Sequence, residues 1–305
     1  MTDFAATSLI PYVPAITSGK PWCLLDCGAY RGDFAWALAT ACQPTRIVLI
    51  EANPALIGHL EQRFREVSDR SAVQVLNVAL GPESGLATLN VYEDAATSSL
   101  LDWSPGGLAT DDAAQTVKVP MTSLAEVLGE AELPVLLKVD LQGMDLRVLR
   151  SAGDLLRRKV RACVVEFIEA RYYAGQGGGL ETWRYMADEG FELLQIADLH
   201  SFTRGRLAFG NLLYVRRDCM AACESLDRDE AVVANEWLSP LTREYAKAAE
   251  ERLELVTRLH RECELLRQQV EGLSRGRRQS TSITRRVLQR LPGALFHDWR
   301  RRDDR

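Results

Sequence analysis

The chain has 305 residues, 47% of them hydrophobic and 26% charged, the balance of an ordinary globular protein with one sizeable core. No apolar run approaches the roughly 18 residues that span a bilayer, and the opening M-T-D-F-A-A-T-S-L-I-P lacks the basic start and apolar centre of a signal peptide, which predicts a cytoplasmic protein. The net charge of −5 hides an asymmetry: ten arginines and three aspartates give residues 272–305 a charge of +7, so the rest carries −12, a body that does not favour nucleic acid as a substrate.

Residues 1–21, with Pro11 and Pro14, read as a lead-in, a loop or short helix packed on the domain that follows. The first organised stretch is Cys23 to Glu51: an apolar run closed by Asp26, a tight turn bracketed by Gly28 and Gly32, a helix over Phe34 to Ala41 stopped by Pro44, and a β-branched run from Arg46 to Ile50 ending at Glu51. A carboxylate at that strand end is placed to accept hydrogen bonds from both hydroxyls of a ribose. The turn D-C-G-A-Y-R-G has no middle glycine; bulky Tyr30 and Arg31 stand where a dinucleotide fold leaves room for a pyrophosphate. S-adenosylmethionine has no phosphate. It needs only close backbone for its amino-acid end and a carboxylate for its ribose, so this spacing favours it over NAD.

Asn53-Pro54 starts the next helix, through Leu56, Leu60 and Phe64, with His59 on its surface or in a groove. Val73 to Leu80 alternates and predicts a third strand ending near Asn77. Leu86 to Tyr92 and Thr116 to Pro120 then read as a hairpin-like insertion, whose intervening small-residue loop either covers a ligand or is a solvated connector. Met121 to Leu128 reads as a helix capped by Thr122 or Ser123.

The second informative stretch is Pro134 to Leu149. An apolar strand delivers Lys138 and Asp140, and a turn at Gly143 leads into a helix facing inward with Leu146 and Leu149. Charged groups at the carboxyl end of a central parallel strand sit where such sheets bind ligands. Lys138 is either part of that site or a solvent-reaching strand end, and Asp145 is placed to favour its helix dipole. Val160 to Glu166 is a fifth strand, again ending in a carboxylate. Arg171 to Gly179 is a glycine-rich connector at the site mouth, and Leu180 to Gly190 a helix. Phe191 to Ile196 and Gly210 to Val215 are the last strands, joined by a loop holding His200. Strands alternating with helices define an α/β protein.

The cysteines lack framework spacing. Cys23, Cys27, Cys42 and Cys163 are expected in reduced core positions, while Cys219 and Cys223 in C-M-A-A-C either share a helix face or, less favoured for want of a second pair, hold a metal. Residues 218–274 read as a helical segment, and from Trp237 the chain changes character. Leu255, Leu259, Cys263, Leu266, Val270 and Leu273 fall at helical spacing, so this segment is either a short self-associating coiled coil or a helix packed on the domain. Residues 275–305 are basic, with Ile283, Val287, Leu288 and Leu291 on one face: a peripheral contact with an anionic membrane surface, or a solvated end.

Four stretches together, L-L-D-C-G-A-Y-R-G, I-E-A-N-P, L-N-V-A-L-G and L-K-V-D-L-Q-G-M-D-L-R-V-L, resemble the FkbM family of S-adenosylmethionine-dependent methyltransferases over residues 22–217. The resemblance implies a class I, Rossmann-like, mostly parallel seven-stranded sheet with helices on both faces, here followed by a helical C-terminal extension. By it, Asp26, Gly28 and Gly32 with the adjoining Ala29 contact the methionine end of the cofactor, Glu51 with Ala52 holds the ribose, and Asn77 with Ala79 flanks the adenine. The family usually carries two glutamates where this chain has Gln142 and Asp145; Asp145 keeps the charge and Gln142 does not. Members O-methylate sugar or polyketide hydroxyls, and the basic end is similar to tails of bacterial surface-glycan enzymes.

The chemistry then expected is in-line methyl transfer, with Asp140 as general base, Lys138 positioning, Glu166 orienting the acceptor or sharing a divalent metal, and His200 as a runner-up base. A metal held by strand-end carboxylates stays open, and no metal ligand is assigned. The alternatives are a nicotinamide-dependent oxidoreductase, or a scaffold that keeps the fold without the reaction.

Overall fold

The computed structural model describes residues 4–105, 115–202 and 207–230. Ten strands run through them: β1 (Cys23–Cys27), β2 (Arg46–Ile50), β3 (Ala72–Leu76), β4 (Ala79–Gly81), β5 (Gly85–Val91), β6 (Gln115–Ser123), β7 (Val135–Val139), β8 (Val160–Ile168), β9 (Phe191–Ser201) and β10 (Leu207–Arg216). The helices are α1 (Phe4–Leu9), α2 (Val13–Thr17), α3 (Asp33–Cys42), α4 (Pro54–Arg63), α5 (Leu124–Gly129), α6 (Asp145–Ser151), α7 (Asp154–Lys159), α8 (Gly179–Asp188) and α9 (Arg217–Glu230).

Seven strands form one sheet in the order β3-β2-β1-β7-β8-β10-β9. The first five are parallel, and β10 runs antiparallel to both β8 and β9. This is the expected Rossmann-like, mostly parallel seven-stranded sheet, and β10, inserted between β8 and β9, is its one reversed strand. Side chains alternate along β1, so Cys23, Leu25 and Cys27 face one way and Leu24 the other. Each face buries its own core. The first packs with Leu124 and Leu128 of α5, Val148 and Leu149 of α6, and Met186 of α8. The second packs with Ala6, Leu9 and Ile16 of the lead-in, Leu38 of α3 and Cys223 of α9. The lead-in is therefore helical, and Cys219 and Cys223 are buried core residues. No helix among the described residues is long and apolar enough to cross a membrane.

Three boundaries differ from the sequence expectation. The alternation of Val73 to Leu80 is not one strand: β3 stops at Leu76, and β4 restarts at Ala79 in a second sheet of order β4-β6-β5. Asn77 is the corner, its amide donating to the carbonyls of Glu51 and Ala52 at 2.9 and 3.1 Å. β6 continues to Ser123, and α5 starts one residue later, where Ser123 Oγ accepts the Glu126 N–H at 3.2 Å. β9 continues to Ser201, which puts His200 inside a strand. The proposed coiled coil, its self-association and the basic tail lie outside the described residues.

The strand order reverses direction at β1. β2 and β3 lie to one side and β7 and β8 to the other, so the carboxyl ends of β1 and β7 flank a topological switch point. There the two turns touch. Asp140 N–H donates to the Cys27 carbonyl at 3.0 Å, and Gly28 adopts φ +79° with its α-carbon against the Asp140 carbonyl, where a Cβ would collide with backbone. Gly28→Ala is expected to cost more than about 2 kcal/mol in urea denaturation, combining left-handed strain with that collision. A wild-type midpoint would contradict the close approach.

Candidate active site

The switch point opens into a cavity of about 640 Å³, within the range of small-molecule sites. The turn from Gly28 to Tyr30, with Glu51 and Ala52, forms one side; Lys138, Asp140, Gln142 and Glu166 form the other. Residues 92–100 and Trp103 supply much of the remaining wall, so the insertion covers the cavity rather than serving as a mere connector. Tyr172 and Tyr173, from the glycine-rich connector, complete it.

On the first side Glu51 is 8% exposed, and both its oxygens hold backbone. Oε2 accepts from Tyr30 N–H at 2.8 Å and Oε1 from Asn53 N–H at 2.7 Å. Burial pushes its carboxyl above the usual carboxylate range, opposed by these two N–H groups. Each oxygen keeps a lone pair beyond its backbone bond, and the carboxylate cannot rotate away. Three small side chains, Ala29, Ala52 and Ala79, keep the wall beside it shallow.

The second side follows from strand period. Asp26 on β1 is paired in register with Lys138 on β7, and Lys138 with Val164 on β8. Steps of two therefore put Asp26, Lys138, Asp140 and Glu166 on one face at the carboxyl ends. Lys138 Nζ stands 3.1 Å from Asp140 Oδ2, 3.6 Å from Asp26 Oδ1, 3.2 Å from the Gly28 carbonyl and 5.7 Å from the Phe34 ring centroid. Its side chain is 9% exposed, so the ammonium is a built-in counter-ion and not a solvent-reaching strand end.

Two carboxyl groups meet beside it. Gln142 Nε2 donates to Asp140 Oδ1 at 3.0 Å and to Glu166 Oε2 at 2.9 Å, and Asp140 and Glu166 also hydrogen-bond each other. Burial acts against ionisation of both. For Asp140 it is outweighed by Lys138 and by hydrogen bonds from Glu166 and Gln142, which hold its carboxyl below the usual range. For Glu166 burial and the negative charges of Asp140 and Asp145 add, raising its carboxyl well above that range. The surroundings therefore favour the charged form at Asp140 and the neutral form at Glu166. Gln142, read from sequence as the loss of a charge, is the amide that joins them.

Asp145 lies behind this pair and does not reach the cavity. Its carboxylate accepts from Leu141 N–H at 2.9 Å and Gly143 N–H at 3.1 Å, fixing the turn at the start of α6. Three residues expected at the cofactor are not among those lining the cavity: Asp26 is fully buried under Lys138, Gly32 packs against the Phe64 ring and caps α3, and Asn77 is an exposed corner residue whose amide braces the Glu51 and Ala52 carbonyls. His200 is exposed and stacks on Phe209 at 4.3 Å, and it is not part of the cavity wall, because β9 runs past the loop expected to hold it. The remaining residues predicted for the site, Gly28, Ala29, Glu51, Ala52, Ala79, Lys138, Asp140 and Glu166, come together in the one cavity. Sequence reasoning missed the aromatic series Tyr92, Trp103 and Tyr173, in which Tyr92 lies tilted against Trp103 at 4.3 Å and Trp103 stacks on Tyr173 at 4.6 Å; its one signal was the pair of tyrosines near the start of the glycine-rich connector. Among the described residues, no group of three or more histidine, cysteine or acidic side chains is arranged to hold a metal ion.

A cavity at the switch point of a seven-stranded sheet in which β10 alone runs antiparallel to its neighbours fits a Rossmann-like methyltransferase fold. Residues 26–193 match the family model of the methyltransferase FkbM domain, and the chain belongs to that family of methyltransferases. Similar solved structures include methyltransferase FkbM from Methylobacillus flagellatus KT, 17% identical with a TM-score of 0.42, covering 64% of this chain and 43% of that one. WbdD is 14% identical with a TM-score of 0.40, over 70% of this chain and 40% of its own. Precorrin-6y C5,15-methyltransferase from Geobacter metallireducens GS-15 is 10% identical with a TM-score of 0.35, over 69% and 86%. The chain thus spans less than half the length of the first two. No curated protein matches it.

Burial and the Asp140 charge push the Asp145 carboxyl up to about 7. Across the window from the ordinary aspartate range to about 7 the folded chain holds a proton that the unfolded chain has released, so this group makes stability fall as pH rises. Asp145→Asn is expected to cost about 1 kcal/mol at low pH through a lost backbone bond and to shrink the stability difference between pH 5 and pH 8 in urea denaturation. An undiminished difference would show that Asp145 is not the titrating group.

Proposed function

We propose that the protein is an S-adenosylmethionine-dependent O-methyltransferase acting on a hydroxyl of a sugar or secondary metabolite. The observation that carries this reading is one cavity with a fixed carboxylate, Glu51, beside a glycine turn on one side and a charge-poised pair, Asp140 and Glu166, on the other.

The residues present fit the cofactor. Glu51 offers one lone pair on each oxygen to the two ribose hydroxyls, the Gly28–Tyr30 turn brings backbone to the methionine end, and Ala52 and Ala79 leave a shallow wall for a flat base. Tyr30 and Arg31 occupy the turn where a pyrophosphate would need glycine, which disfavours a nicotinamide dinucleotide. When bound, the sulfonium supplies a methyl group activated toward displacement.

The chain's own residues then have three tasks. Residues 92–100, which line the cavity, limit the access of water to it. Gln142 and Lys138 fix Asp140, whose side chain is 29% exposed toward the cavity. Asp140 takes the proton of the acceptor hydroxyl as the new carbon–oxygen bond forms. A hydroxyl oxygen that has gained a methyl group is far more acidic than a carboxylic acid, so a carboxylate held below its usual range still accepts that proton.

Calorimetry with S-adenosylmethionine is expected to show uptake by the full chain, at least about tenfold weaker binding for Glu51→Ala, and no heat with NAD. With the methyl-labelled donor and a panel of free and nucleotide-linked sugars as acceptors, Asp140→Asn is expected to lose at least about 100-fold in transfer while still binding donor. Uptake of NAD instead of the methyl donor would sink the assignment, and undiminished transfer by Asp140→Asn would remove Asp140 from its role.

A further inference from the structure

Tyr173 belongs to neither site motif, yet its hydroxyl stands inside the site. It lies 2.8 Å from Gln142 Oε1 and 2.8 Å from the Thr97 carbonyl oxygen. A phenol has one hydrogen, so the amide and the segment that roofs the cavity compete for a single donor. Burial, then the neighbouring Glu166, push its ionisation far above the usual tyrosine range, so it stays a neutral donor. Its ring is fixed by stacking on Trp103 at 4.6 Å.

The amide that it meets has two unlike ends. Both hydrogens of Gln142 Nε2 are spent on carboxyl groups, one on Asp140 and one on Glu166. Turning the amide over would aim an oxygen at those groups in place of two donors. The backbone is committed to the same aim. Gln142 sits at φ +50°, a region that glutamine rarely enters. It is held there by Ser99 Oγ, which donates to its carbonyl at 2.8 Å, and by Asp145, which holds the N–H groups on either side. Strain of this kind collects where a side chain has to be aimed.

We propose that Tyr173 is a positioning residue for the proton acceptor: its hydroxyl decides which end of the Gln142 amide faces the Asp140–Glu166 pair. The proposal rests on the reading that this pair receives the acceptor's proton. The other titratable groups around the pair are Lys138 from β7 with Asp26 of β1 beneath it, Asp145 of α6 behind it and Glu51 across the cavity. N–H donors favour the ionised carboxylate, so an amide released by loss of the phenol hydroxyl leaves the pair holding its proton more tightly.

Carbon-13 NMR of carboxyl-labelled glutamate in the full chain tests this, with Glu166→Gln identifying the Glu166 signal. Tyr173→Phe is expected to raise the Glu166 titration midpoint by about half a pH unit or more. Gln142→Met is expected to raise it too, and adding Tyr173→Phe to Gln142→Met is expected to change nothing further, because the hydroxyl acts through the amide. A midpoint unmoved in Gln142→Met, or a Tyr173→Phe shift that persists in full on the Gln142→Met background, would overturn the proposal. S-adenosylhomocysteine uptake by the wild-type sample separates the two readings. The predicted shifts without uptake support the amide's role and count against the methyl-donor site; uptake without the shifts does the reverse.

Discussion

One buried ammonium holds this site together. Lys138 projects from the central parallel strand into a space bounded by the Asp26 and Asp140 carboxylates, the Gly28 carbonyl and the Phe34 ring. A charge so enclosed is costly unless partnered on several sides, and each partner belongs to a different part of the switch point. Asp26 comes from the strand before the glycine turn, Gly28 from the turn itself, and Asp140 from the turn after β7. The lysine ties the two loops on which the cavity is built, and it lets two acidic residues lie side by side in a protein interior.

Around that counter-ion the acidic residues divide their work by position. Asp140 is nearest the ammonium, which holds its carboxyl below the usual range, while burial and its acidic neighbours push Glu166, one strand further on, above it. Asp145 spends its carboxylate on backbone and sets the turn. Glu51 does the same at the other side of the cavity while leaving free lone pairs toward it. Carboxyl groups thus take different parts, one beside the ammonium, one shifted toward its neutral form and two clamping backbone, according to which donors reach them.

Much of this was legible in the residue order. The spacing of Asp26, Gly28 and Glu51, and the strand end carrying Lys138 and Asp140, placed the switch point correctly, because period-two strands and glycine turns are local properties. What failed was long-range. Nothing near Asp26 says that Lys138, 112 positions later, will lie over it, so a buried counter-ion looked like a ligand contact. The alternation of residues 73–80 is continuous, but its hydrogen-bonding partner changes from β2 to β6 at Asn77, which only the tertiary fold decides. Gln142 looked like a missing charge because its two carboxyl partners and its tyrosine are brought to it by β7, β8 and the connector beyond.

The most direct measurement is urea unfolding of Lys138→Met at several pH values. With its counter-ion gone, the variant is predicted to be less stable than wild type by about 3 kcal/mol or more at pH 7.5. Asp26 and Asp140 then bind protons more readily when folded, so the deficit is predicted to shrink as pH falls toward 5. A deficit of the same size at every pH would mean that Lys138 contributes packing alone, and would contradict its place as the charge around which the site is assembled.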